Sequence, residues 1–346
     1  MHSLKSAQYR CLGIQRRLML PVAAIRLAKL LRRERVDILQ THLFDAGLVG
    51  IIAARLAGTP LVIVTRHHLD QVHLIGNRFH IGLDRWMARK ADRVVVLSQA
   101  VRNYMISADH IDGDKIEVVY QGFDFEKLSP TDDERERVRK ELNLDGKFVI
   151  GCIGQLFATK GQSYLLNALK LVADQMPNGH LLFVGAGERQ PLEELARELG
   201  LQDRVTFAGF RTDVPSCMAA MDLVVHPSLS EAFCQVLIES MAVGKALITT
   251  DVGGAPEVVT QGKTGILVPP ADSQSIAVAI LEMYRSSEKR DGLARAGQLS
   301  VRQRFSAERM VDQQVACYLN WLNTRSAEIG DVPISLADER EGTCPK

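Results

Sequence analysis

Pro227-Ser-Leu-Ser-Glu231-Ala-Phe233-Cys234-Gln-Val-Leu-Ile-Glu239-Ser-Met-Ala-Val-Gly244-Lys-Ala-Leu-Ile-Thr-Thr-Asp-Val-Gly253-Gly254-Ala-Pro256-Glu257 is the stretch that decides the fold. A β-branched run ending at His226 leads into it, a helical period follows Cys234, and a second apolar run ends in a Gly-rich turn. Strand, loop, helix, strand, turn and helix in that order build a parallel sheet covered by helices. Ligands of open parallel sheets sit outside the carboxyl ends of the strands, so Glu231 is expected to point into that crevice. Glu239 falls two turns into the following helix. An ionised carboxylate there offers two acceptor oxygens, the number that a ribose diol requires. Two glutamates eight residues apart recur by chance; the strand, loop and helix around them supply the specificity.

Outward from this stretch, short β-branched runs alternate with helical patterns, which makes the chain α/β. The second half predicts strands at 148–153, 180–184, 205–208, 223–226, 246–249 and 265–268, a complete doubly wound domain. The first half predicts four, at 36–41, 61–65, 93–97 and 116–120. A loop containing Ser129-Pro130, followed by a capped helix at 131–142, marks the hinge. The expected division is an N-terminal Rossmann-like domain over 1–127 and a C-terminal one over 128–300. A helix within 301–324 is expected to cross back to the first domain, because Met310, Val311, Val315, Tyr318, Leu319 and Leu322 form one stripe. Residues 325–346 show no apolar period and are expected to be disordered.

The 346 residues, 46% of them hydrophobic, suffice for two cores. No uncharged apolar run reaches the length of a membrane span, and Arg16, Arg17 and Arg26 flank the apolar residues 18–24 too closely for a secretory signal. Six cysteines without a C-x-x-C pair argue against a zinc site or a disulfide framework and for a reducing, cytoplasmic compartment. The net charge of +1 hides an asymmetry: 19 basic against 12 acidic residues in 1–127, and 23 against 29 in 128–346. A basic first half suits an anionic acceptor or the headgroups of an anionic membrane surface, and nothing in the chain points to nucleic acid.

Glu231-x7-Glu239 with Gly253-Gly254-x-Pro256-Glu257 resembles the family-4 retaining glycosyltransferases, the glycosyl transferases group 1. The resemblance implies the GT-B fold, two Rossmann-like doubly wound domains facing a cleft. It implies that Glu231 holds hydroxyls of the transferred sugar and Glu239 the nucleotide ribose, with Phe233 and Cys234 between them at the donor. Gly151-Cys-Ile-Gly154-Gln155-Leu-Phe-Ala-Thr-Lys160-Gly161 resembles the family's diphosphate clamp, with Lys160 as its lysine and the neutral Gln155 where the family has an arginine. Gly185 and Gly187 follow a strand and, in the family, line the donor crevice; Phe210 and Arg211 lie against the base. His67, at the end of a first-half strand, matches the position that contacts the donor sugar near the reacting centre.

The activity implied is transfer of a sugar, with retention, from a nucleotide-diphosphate sugar to a glycan or lipid-linked glycan, as in cell-envelope polysaccharide or lipopolysaccharide synthesis. Neither a metal nor a cofactor beyond that co-substrate is expected. The expected catalytic residues are Lys160, Glu231 and His67. Relative to the family, 1–35 reads as a basic helical stretch in place of an opening strand and Gly-rich loop, so the first domain is expected to be incomplete. That departure and Gln155 favour the competing reading, a catalytically impaired donor-binding relative. Asp112-Gly113-Asp114 matches a metal-binding pattern of a different transferase fold, but turn chemistry accounts for it.

Overall fold

The computed structural model describes residues 19–69 and 77–329. Two parallel sheets, each with its own core, make up the chain.

The first sheet has the strands β1 (Ile38–His42), β2 (Leu61–Arg66), β3 (Arg93–Val96) and β4 (Ile116–Val118) in sequential order. The helices α1 (Leu20–Glu34), α2 (Phe44–Ala57), α3 (Arg78–Lys90) and α4 (Gln99–Ser107) accompany it. When parallel strands follow one another in order, right-handed crossovers place every connecting helix on the same face. Val62 of β2 accordingly packs in a cluster with Ile51 of α2 and Met87 of α3, while Leu61 and Ile63 face the other way. Residues 1–18 lie outside the described part of the chain, and the expectation for them with it.

The second sheet runs β10-β9-β8-β5-β6-β7, from β5 (Phe148–Ile153), β6 (Gly179–Val184), β7 (Val205–Gly209), β8 (Leu223–His226), β9 (Leu247–Thr250) and β10 (Ile266–Val268). Its helices are α5 (Asp132–Glu141), α6 (Gln162–Val172), α7 (Gln190–Glu198), α8 (Val214–Ala220), α9 (Gln235–Ala242), α10 (Ala255–Val258), α11 (Ser273–Arg285) and α12 (Ser287–Arg304). β5 is buried throughout; Phe148, Ile150 and Cys152 join one core cluster, and Val149 and Ile153 another. Helices therefore cover both faces of this sheet. All ten predicted strands are present, with ends shifted by a few residues.

Two crossings join the domains side by side. The first leaves β4 through Phe123 and a short turn, Phe125–Leu128, and enters α5 behind a capping box formed by Thr131 and Glu134. The second returns through Ser306 into α13 (Ala307–Ile329). Phe123 donates to Phe305 O at 2.9 Å and accepts from Ala307 N at 3.1 Å. Gly122 is required there for close approach: a Cβ would lie 2.6 Å from Ser306 O.

Trp321 of α13 is buried in a cluster with Leu61, Ile63, Val95 and Val119, joined by Met310, Cys317, Tyr318 and Leu322. Gln313 donates to Val118 O at 2.8 Å, and Arg325 pairs with Asp92 at 2.9 Å. α13 thus covers the face of the first sheet that the crossover helices leave bare. One expectation is corrected: the helix runs on to Ile329, so 325–329 are helical and not part of a disordered tail, and Arg325 on it has a partner in the first domain. Residues 330–346 lie outside the described part. Cys152, Cys217, Cys234 and Cys317 are free thiols, and Cys11 and Cys344 fall outside it.

Candidate active site

In the second sheet β5 pairs with β6 on one side and β8 on the other, so the strand order reverses between β5 and β8. In open parallel sheets the ligand crevice lies at such a switch point, outside the carboxyl ends of the strands. The loop after β5 carries Lys160 and the loop after β8 carries Glu231, and the two meet: Lys160 Nζ lies 2.5 Å from Glu231 Oε1. Ser228 Oγ donates to that oxygen at 2.7 Å, and His226 Nε2 lies 2.8 Å from it.

Close backbone contacts fix these loops. Leu229 N donates to Thr159 O at 2.8 Å, tying the two loops together. Gly253 (φ +51°) lies so near Glu231 that a Cβ would be 1.6 Å from Glu231 O, so no side chain fits there. Gly185 (φ +150°) and Gly187 likewise press against Gly154 O and Leu156 O, holding the turn after β6 beside the loop of Gly154 and Gln155.

Burial alone would raise the pKa of Glu231, but His226 and Lys160 outweigh burial and hold it down at about 2. Burial likewise opposes protonation of His226, but Cys234, with Sγ 3.1 Å from Nε2, and Glu231 push its pKa up to about 10. Glu239, on α9, is the opposite case. Burial raises its pKa, and no side-chain hydrogen bond engages its carboxylate among the described residues. Its acceptors are available to a ligand.

The other expected donor contacts divide. Gln155 and Phe210 are exposed, Phe210 at 76%. Arg211 does not stand by for the missing arginine: its guanidinium binds Asp213 at 2.8 Å and Glu141 at the end of α5. The ring of Phe233 packs against Tyr120 and Phe305 at centroid distances of 5.7 and 5.8 Å, so it is part of the hinge and is not offered to a ligand. The side chain of Cys234 is buried against His226. Asp112 caps the turn Gly113–Lys115 through Asp114 N, as turn chemistry requires.

On the first domain, His67 follows β2, and its Nε2 lies 2.9 Å from His42 Nδ1 at the end of β1. Burial and the neighbouring histidines lower its pKa, so the ring is neutral at physiological pH. The two rings help to line a cavity of about 550 Å³, together with Arg66, His68, Asp84, Met87, Val94 and Met105. Ser98, which follows the adjacent strand β3, donates through Oγ to Ala232 O at 2.6 Å. The contact joins the first domain directly to the Glu231 loop, one strand from His67.

The comparisons with known proteins agree with this geometry. The model of the glycosyl transferases group 1 matches residues 134–300, and that of Glycosyltransferase Family 4 matches 4–127. The chain belongs to the group 1, family-4 glycosyltransferases. A galactosyltransferase of Escherichia coli, UDP-Gal:alpha-D-GlcNAc-diphosphoundecaprenol alpha-1,3-galactosyltransferase, is 28% identical over 75% of this chain and 69% of its own. D-inositol 3-phosphate glycosyltransferase of Mycobacterium ulcerans is 30% identical over 88% of this chain and 65% of its own. The crystal structure of Anabaena HepE with UDP-glucose superposes with a TM-score of 0.79 at 28% identity, covering 86% of this chain and 81% of that one. The fold is GT-B.

Within this family-4 chain, sequence reasoning passed over three residues that the structure brings to the site or its frame. His226 was legible only as the last residue of a strand, and Ser228 only as part of a loop. Glu257 was legible as part of the Gly-Gly-x-Pro-Glu turn, yet its carboxylate acts on the other domain, accepting from Gln99 N, Ala100 N and Tyr120 OH at 2.8 Å each. His226, Glu231 and Cys234 also bring three potential metal ligands within 4.8 Å. Lys160 and Ser228 share the Glu231 carboxylate with this cluster, so its oxygen Oε1 is the centre of a hydrogen-bonded network. Among the described residues no helix is long and apolar enough to cross a membrane.

Proposed function

We propose that the chain transfers a sugar, with retention, from a uridine diphosphate sugar to a glycan or lipid-linked glycan of the cell envelope, and needs no metal to do so. The carrying observation is the meeting of Lys160 and Glu231 at the switch point of the second sheet. A departing diphosphate gains charge in the transition state, and an ammonium fixed in advance beside the sugar subsite stabilises that charge more than it stabilises the bound donor. Glu239 would take the ribose, and His67 would meet the sugar from the first domain. The relatives support the donor class: the Escherichia coli protein is named for UDP-Gal, and HepE was crystallised with UDP-glucose.

The basic first half supports work at the cytoplasmic face of an anionic membrane. On α1, Lys29, Arg32 and Arg33 stand beside the exposed Val22 and Ile25, a combination suited to an anionic headgroup layer. Vesicle binding that ignored anionic lipid content would refute this part. Lipopolysaccharide synthesis is one destination of such a product.

The test is turnover of UDP-, GDP- and ADP-sugars, with and without a chelator, and NMR of the product's anomeric centre. A retained anomer formed from a UDP-sugar in the presence of chelator is expected; inversion, or dependence on a metal, would refute the mechanism. The exposed neutral Gln155, with Arg211 engaged elsewhere, favours a second reading, a donor-binding protein of low activity. Binding of UDP-sugar without turnover would select it.

A further inference from the structure

Three donors converge on a single oxygen of Glu231: Lys160 Nζ at 2.5 Å, Ser228 Oγ at 2.7 Å and His226 Nε2 at 2.8 Å. The second oxygen, Oε2, has no hydrogen-bond partner among the described residues. An ionised carboxylate accepts at both oxygens, so concentrating every protein contact on one of them orients the group and reserves the other.

His226 is the least expected of the three. Its side chain is 4% exposed, and Nδ1 is buried with no partner. An unpaired buried polar atom costs free energy that an apolar residue of similar size would avoid, so packing does not explain the imidazole. What distinguishes it is Nε2, which faces Glu231 Oε1 at 2.8 Å and Cys234 Sγ at 3.1 Å. A single N–H directed at a carboxylate oxygen makes the stronger, charge-assisted bond. Lys160 reaches the same oxygen from a long stem, with 24% of its side chain exposed. The imidazole is held between β8 and Cys234 and cannot leave.

We infer that His226 is a positioning residue that fixes Glu231 by Oε1 and so presents Oε2 to the hydroxyls of the transferred sugar, whether or not Lys160 stays on the carboxylate. The inference rests on the donor-site reading given above. It assigns sugar recognition to a residue that touches no substrate, and it predicts that His226 affects the sugar's share of donor affinity and leaves the nucleotide's share alone.

The experiment compares UDP with UDP-glucose and UDP-galactose by calorimetry and turnover, for the unaltered chain, His226→Leu and His226→Gln. The amide nitrogen of glutamine reaches the place of Nε2; leucine keeps the volume and removes the donor. Expected for His226→Leu is UDP affinity within about twofold of the unaltered chain, with a loss of about tenfold or more in the extra affinity for the UDP-sugar and in kcat. His226→Gln should recover most of both. A leucine variant that keeps the full sugar-dependent gain overturns the inference, as does an equal fall in UDP affinity in both variants, which would mark a purely structural role. If the unaltered chain binds UDP but gains nothing from either sugar, the donor-site reading fails first, and the inference falls with it.

Discussion

Glu257 caps a helix that belongs to the other domain. Its carboxylate accepts the backbone N–H of Ala100 at 2.8 Å, and that of Gln99 at the same distance, at the start of α4. The first N–H groups of a helix have no partner within it, and the helix dipole favours an anion there. Tyr120 OH donates to the same carboxylate; burial, with the Glu257 carboxylate beside it, pushes the tyrosine pKa up to about 12.

Replacing Glu257 by Gln should therefore loosen the domains without disturbing either sheet. The expected cost is about 1–3 kcal/mol of stability, as for loss of a charged cap. Small-angle scattering should show a larger radius of gyration for the variant. An unchanged profile and an unchanged Tm would show that the contact contributes nothing.

Lys160→Ala should lower kcat by about 10²–10³-fold, the usual effect of removing one preorganised group that meets developing charge. Gln155→Arg is the converse. Its side chain is exposed beside the same loop and would restore a second cation, so kcat should rise. Steady-state rates for both variants decide the matter; a silent Lys160→Ala would remove the proposed clamp.

Glu239→Ala should weaken UDP binding by about tenfold or more and abolish discrimination between UDP and 2′-deoxy-UDP. Burial raises the pKa of Glu239, so its ionised form is lost at a higher pH than for an ordinary carboxylate. Affinity for UDP should fall as pH drops through that raised value, and Glu239→Gln should flatten the profile over the same window. Calorimetry from about pH 4, near the ordinary glutamate value, up to about pH 8 covers both effects.

Trp321→Ala should cost about 3–5 kcal/mol by removing a large buried side chain from the face formed by Leu61, Ile63, Val95 and Val119. Asp109→Ala should be comparably severe, because it strips the fully buried carboxylate from Arg66 and leaves that guanidinium without its 2.6 Å partner. Chemical denaturation of each variant, against the unaltered chain, supplies the measurement.

The sequence made the sheets legible because β-branched runs of four to six residues leave a local mark. Lys160 and Glu231 could be read because each occupies a loop after a recognisable strand. The ion pairs of Arg211 were not legible, because its partner Glu141 lies 70 positions away. His226 was missed because a polar residue at a strand end carries no signal of what it faces. Glu257 acts across 157 positions on Ala100, and no periodicity reports such a contact.

α13 gives the chain a problem of timing. The face of Leu61, Ile63, Val95 and Val119 is complete once β4 has been made, yet Trp321 follows about 200 residues later, some 10–40 s at ordinary rates of synthesis. Throughout that interval a nascent chain exposes an apolar surface whose cover has not yet left the ribosome. The first domain is thus the earlier to be translated and the later to be finished, and a chaperone that shields this face would act before the second domain's core has formed.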